Sequence, residues 1–211
     1  MTRADRYRVL LIRSGATEWD EQAYLPGVAD LPLCDRERER FSIDGDFVGP
    51  GQVCGVISAR DEASLQTAGL AASALDCKTK KCPGLGDVDL GLWQGLRIDE
   101  LKERTPKVYR QWMDDPLSLH PPEGESLREA RDRLIEQLIK AVEKTAKGVK
   151  SGVPTVAVVL RPIALALVRS RLLGDSRLAG WSACGDAPRF EWHELTESRI
   201  DTLRVLPAAS A

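Results

Sequence analysis

Two apolar runs constrain the fold of this chain more than any other feature. Tyr7-Arg8-Val9-Leu10-Leu11-Ile12 and Thr155-Val156-Ala157-Val158-Val159-Leu160 are β-branched and aliphatic stretches that read as buried strands. The first stops abruptly at Arg13-Ser14-Gly15, and the second at Arg161, after which Pro162 opens a helix that ends at Gly174. Between them lie a short strand over 53–57 and a helix over 61–75 whose Leu65, Ala68, Ala72 and Leu75 share one face. Two short helices are expected over 98–103 and 106–114. The capping box Ser126-Leu127-Arg128-Glu129 starts a long helix running to about Lys147 on Leu127, Ala130, Leu134, Leu138 and Val142. Alternation over 190–195 and 200–205 predicts closing or edge strands, and 178–187 is a glycine-rich polar loop. Strands alternating with helices predict an α/β fold, a three-layer α/β/α sandwich around a mainly parallel central sheet, formed by one domain over 1–211. In such sheets ligands bind at the carboxyl ends of the strands, which is where the first loop lies.

Charge excludes several partners. Thirty basic residues against 32 acidic ones leave no net field to draw nucleic acid or an anionic membrane, so any anion site must be local. No stretch approaches the roughly 18 apolar residues of a membrane span, and the first residues carry no apolar run behind their charges; a cytoplasmic address is expected. Five cysteines in a chain of 211 residues argue for reduced thiols. Cys77 and Cys82 bracket Lys78-Thr79-Lys80-Lys81, but with His120 and His193 as the only histidines the sequence offers no convincing metal site, and no cofactor is expected. The alternating charges of residues 35–40 predict a solvated helix face, while Trp19 and Trp93 are expected to pack rather than to bind ligand.

Six stretches, in this order, resemble the histidine phosphatase superfamily, the phosphoglycerate mutase-like proteins. They are residues 11–19 (Leu-Ile-Arg-Ser-Gly-Ala-Thr-Glu-Trp), Asp30-Leu31-Pro32-Leu33, Gln66-Thr67-Ala68, Asp89-Leu90-Gly91-Leu92-Trp93-Gln94-Gly95, Pro122-Glu123-Gly124-Glu125-Ser126, and Leu160-Arg161-Pro162. The resemblance implies a phosphate pocket in which a first-loop histidine accepts the phosphoryl group, two arginines and a second histidine hold its oxygens, and an acid protonates the leaving oxygen. Such chemistry is positioning plus electrostatic stabilisation of charge spread over three oxygens.

Laid on that pattern, the chain departs from it repeatedly. Arg13 matches the first arginine, but Ser14 stands in place of the nucleophilic histidine, with no base adjacent in sequence to activate its hydroxyl. Asp20 replaces an asparagine, so an amide donor becomes a carboxylate that repels phosphate. Ala63 stands where the second arginine is implied; Arg60, nearly one helical turn earlier, is a candidate replacement. Asp87 replaces the acidic glutamate with a shorter reach. Arg161 occupies the second histidine's position, where it can grip an anion but cannot act as acid, base or nucleophile. Neither His120 nor His193 falls in a pocket motif.

The expectation is therefore a pseudoenzyme with a binding or scaffolding role. Its partner is expected to be a small phosphorylated or carboxylate ligand or another protein. Two alternatives stay open: a histidine-free phosphatase or phosphomutase acting on a small phosphate monoester, and an anion-binding module built on Arg13 and Arg161. Arg13 could equally be a structural arginine paired with Asp20 or Asp87, which would fill the pocket with internal charge.

Overall fold

In the computed structural model, which describes residues 4–43, 48, 51–147, 149, 152–174 and 189–205, the first apolar run becomes strand β1 (Arg6–Arg13) at the heart of a five-stranded sheet. The others are β2 (Val56–Ser58), β3 (Thr79–Lys81), β4 (Thr155–Leu160) and β5 (Phe190–Thr196), in the order β3-β2-β4-β1-β5. The pairs β1–β4, β4–β2 and β2–β3 are parallel, and only β5 runs antiparallel, against β1. This is the mainly parallel sheet expected.

Side-chain alternation along the central strands divides the core. Val9 and Leu11 of β1, with Val156, Val158 and Leu160 of β4, join a large apolar cluster beneath α6 (Leu127–Ala146) and α7 (Pro162–Leu173). Leu10 and Ile12, with Ala157 and Val159, face the opposite way onto Ala68, Ala71 and Ala72 of α3 (Glu62–Ala74). Every residue of β4 is buried, as a strand covered on both faces requires. The remaining α-helices among the described residues are α1 (Glu18–Glu21), α2 (Asp35–Arg40), α4 (Ile98–Arg104), α5 (Pro106–Asp114) and α8 (Glu197–Arg204). Helix α6 begins at the expected capping box, with Ser126 Oγ accepting from the Glu129 amide and the Glu129 carboxylate accepting from the Ser126 amide. Helix α2 buries none of its residues, Trp93 packs on Trp112 at 5.9 Å between ring centroids, and Trp19 on Tyr24 at the same distance.

Two expectations need correction, and one strand was not expected. Residues 200–205 form most of α8 rather than a strand: Thr196 Oγ1 caps it by accepting from the Arg199 amide, and the two buried residues, Ile200 and Leu203, lie three apart, a helical spacing. The strand expected over 53–57 pairs in its ladder only from Val56 onward. Edge strand β3 carried no apolar signal, since its Thr-Lys-Lys sequence is exposed throughout; lysine on an edge discourages pairing with other chains. The loop expected over 178–187 lies outside the described residues. Among the described residues no helix is long and apolar enough to cross a membrane, and no group of three or more His, Cys, Asp or Glu side chains could hold a metal ion.

Candidate functional site

The carboxyl ends of β1 and β4 lie side by side, with Arg13 in register with Leu160, so the loops that follow them must meet. The Ser14 amide donates to Leu160 O at 2.9 Å, and the Gly15 amide donates to Thr67 Oγ1 at 3.1 Å, which ties the first loop to α3. Gln66 Oε1 accepts from the Leu33 amide at 2.9 Å, and Asp30 Oδ1 accepts from the Glu62 amide. The Gln66-Thr67 and Asp30–Leu33 stretches thus hold the loops around this mouth.

Arg161, 5% exposed, is the centre of the site. One guanidinium nitrogen donates to both carboxylate oxygens of Asp20, at 3.1 and 2.8 Å; another donates to Ser14 Oγ and to Gly15 O, each at 3.3 Å. Burial works against its charge, but Asp20 and Asp87 overcome this and hold the guanidinium more firmly protonated than usual. Asp20 is further fixed by the Thr17 amide and Thr17 Oγ1, both donating at 2.7 Å, as the carboxylate of the α1 capping box. The internal ion pair considered for Arg13 is thus made with Asp20 by Arg161.

Asp87 is buried beside it. Its Oδ1 accepts from the Val88 amide at 3.0 Å and from the Ala164 amide, in the first turn of α7, at 2.9 Å; its buried Oδ2 has no partner among the described residues. Burial pushes this carboxyl up to about 7, against the opposing pull of Arg161 and the two amides. A residue missed in the sequence positions it. Arg133 of α6 donates to Gly84 O at 2.8 Å, to Gly86 O at 3.0 Å and to Asp87 O at 3.3 Å, while pairing with Glu125. An arginine on the polar side of a long helix gives no sequence signal for that role.

The segments 89–95 and 122–126 are clasped together. A Cβ at Gly91 would lie 2.1 Å from Pro122 O, and one at Gly124 would lie 2.4 Å from Asp89 O, so only glycine permits the approach. Across it the Leu92 amide donates to Pro122 O at 2.9 Å and the Glu125 amide to Asp89 O at 3.0 Å.

Two cavities meet at Asp87. The larger, about 590 Å³, is lined by Arg13, Ser14, Asp20, Tyr24 and Tyr109 among others, and by Glu37 with its ion-pair partner Arg189 at 3.0 Å. The smaller, about 280 Å³, includes Arg60 and Arg161. The expected site residues Arg13, Ser14, Asp20, Asp87 and Arg161 therefore converge, and Arg60 reaches the same region. Ala63 is buried and brings no polar group. His120 is exposed, with its Nε2 3.1 Å from Gly124 O, and His193 is buried on β5 with its Nε2 3.1 Å from Glu191 Oε1; neither lines these two cavities.

The family model described as histidine phosphatase superfamily (branch 1) matches residues 9–202. The chain belongs to this superfamily. Among the proteins it resembles, a bifunctional protein of Mycobacterium tuberculosis is 34% identical over 136 residues, a match taking in 61% of this chain and 37% of that longer protein. Phosphoserine phosphatase 1 of Hydrogenobacter thermophilus is 23% identical over 198 residues, covering 94% of this chain and 91% of its own. The solved structure of a mycobacterial glucosyl-3-phosphoglycerate phosphatase superposes with a TM-score of 0.72 at 19% identity, over 90% of this chain and 92% of that one. The histidine phosphatase architecture thus surrounds the pocket that Arg161, Asp20 and Asp87 line.

Proposed function

We propose that this protein is a histidine-phosphatase-fold binding protein that no longer carries out phosphoryl transfer. The observation that carries the reading is the buried Arg161–Asp20 pair, in which one guanidinium nitrogen donates to both carboxylate oxygens: the cation best placed to hold phosphoryl oxygens is already neutralised by an internal carboxylate. Ser14 adds to it. Its Oγ accepts from Arg161, a cation that cannot remove the hydroxyl proton, and no hydrogen bond from that hydroxyl to a base of the kind a nucleophile needs is found among the described residues. A phosphate dianion in the larger cavity would meet five carboxylates, Asp20, Glu21, Glu37, Asp87 and Asp99, against Arg13 and Arg189.

One observation favours the histidine-free phosphatase instead. An acid at the proton-donor position that titrates at about 7 suits general acid catalysis near neutral pH. Hydrolysis of p-nitrophenyl phosphate between pH 4 and 8 separates the two. The expected result is no turnover above background; turnover that disappears in Arg13→Ala establishes the phosphatase. Restoring the missing imidazole tests the same point from the other side. Ser14→His alone is expected to remain inactive, because Asp20 still occupies Arg161 and Ala63 still supplies no second clamp, and losing several members of a cooperating unit is not repaired by returning one. Burst formation of a phosphoenzyme in that variant would contradict this.

A further inference from the structure

Strand β3 ends the sheet on the side opposite β5, and among the described residues no strand pairs with its outer edge. The Val56 amide donates to Lys78 O at 2.9 Å, and the Cys82 amide donates to Ser58 O at 2.7 Å, so Lys78 and Cys82 turn their backbone groups toward β2. Successive residues of a strand turn those groups to opposite sides, which points the N–H and C=O of Thr79 and Lys81 away from the sheet. They offer an extended chain a row of donors and acceptors. All three residues of β3 are exposed.

Charge decides which chain fits. Lys78, Lys80 and Lys81 are exposed along this edge, and Lys144 of α6, also exposed, lies within electrostatic reach of Cys82, the residue that follows β3. Among the described residues none of these four lysines is held in an ion pair, whereas Lys140 of the same helix α6 pairs with Glu136. On a chain with a formal net charge of −2 this is a local excess of positive charge. Two copies of the edge would set lysine against lysine, so the same residues that keep like edges apart favour a strand carrying carboxylates.

The two faces of the edge differ. On one side an open groove of about 550 Å³ is lined by Gly69, Ala72 and Ser73 of α3 together with Thr79. These side chains are small and leave room for apolar groups, and Asp76 in the same wall disfavours a second carboxylate there. Alternation places Lys80 on the other side, where a partner's carboxylates would meet it.

We propose that β3 is a docking edge for an extended acidic segment of another protein, which adds a strand to the sheet by pairing with Thr79 and Lys81 and sets its carboxylates among the lysines. This goes beyond the reading of the Arg161 pocket and holds whether or not that pocket transfers phosphoryl groups.

Fluorescence anisotropy tests it, with a dye-labelled heptapeptide of alternating glutamate and valine titrated with the whole protein at constant ionic strength. Saturable binding is expected, with none for the lysine–valine counterpart. A glutamate–valine peptide N-methylated at every amide keeps its charge but has no N–H for a ladder, and is expected to bind weaker by about tenfold or more. Thr79→Pro removes an N–H that faces away from β2, so the sheet keeps its own ladder; it too is expected to weaken the peptide by about tenfold or more at an unchanged Tm. The double variant Lys80→Glu, Lys81→Glu changes only exposed side chains and is expected to do the same. The inference is overturned by the absence of saturable binding up to about 1 mM, by equal binding of the methylated peptide, by affinity unchanged on charge reversal, or by tighter binding of a single-stranded oligonucleotide of the same charge.

Discussion

Asp20→Ala is expected to lower the unfolding free energy by about 3–5 kcal/mol, the cost of leaving a buried charge without its partner. Arg161 has a side chain only 5% exposed, and it would lose both oxygens that accept from it on that side. The Thr17 amide and hydroxyl would lose their acceptor too, which opens the capping box of α1. Arg161→Met should cost less: the Asp20 side chain is 19% exposed, keeps both Thr17 donors, and can be hydrated. Urea denaturation of the two variants measures the difference. Millimolar phosphate should restore part of the stability of Asp20→Ala by taking the carboxylate's place beside Arg161, an effect absent in the parent protein. A loss below about 1 kcal/mol, the worth of an exposed surface pair, would contradict the structural role given to this contact.

The second large effect concerns Asp87 and depends on pH. In the unfolded chain its carboxyl loses a proton near 3.8, in the native protein at about 7. Between those values the native state binds more protons than the unfolded one, so this residue makes stability fall as pH rises, by a total on the order of 4 kcal/mol once pH passes 7. Asp87→Asn mimics the protonated form: it keeps an oxygen for Val88 and Ala164 and has no proton to lose. The variant should match the parent protein near pH 4 and exceed it by up to about 4 kcal/mol at pH 8. Denaturation at the two pH values gives the result, and a stability difference that does not change with pH would remove the buried acid from the account.

The central architecture was legible because β1, β4 and α6 each carry a strong local signal: two apolar runs and a capping box. Strand β3 was not, because three exposed polar residues on a sheet edge owe their conformation to pairing with β2 alone. Helix α8 was misread because the alternating character of residues 200–205 masked the helical spacing of Ile200 and Leu203, and its cap lies just upstream. At the site, the substituted residues could be located but not their pairing. Asp20 and Arg161 are 141 residues apart, and only the parallel register of β1 with β4 brings their loops together. Arg133 was invisible for another reason, since a helix surface arginine has an ordinary local explanation.

The glycine clasp between segments 89–95 and 122–126 has a consequence for how the protein opens. Its two halves touch backbone to backbone, with no side chain between them to swing aside, and one half runs directly into the cap of α6. The amides of Leu92 and Glu125 can then exchange with solvent only when the start of the longest helix comes apart as well. Their hydrogen-exchange protection should therefore approach that of the Leu134–Leu138 amides at the helix centre, far above what is usual for loops. The wall beside Asp87 would thus belong to the last unit to unfold, and a ligand would enter past the other side, over the short helix α1.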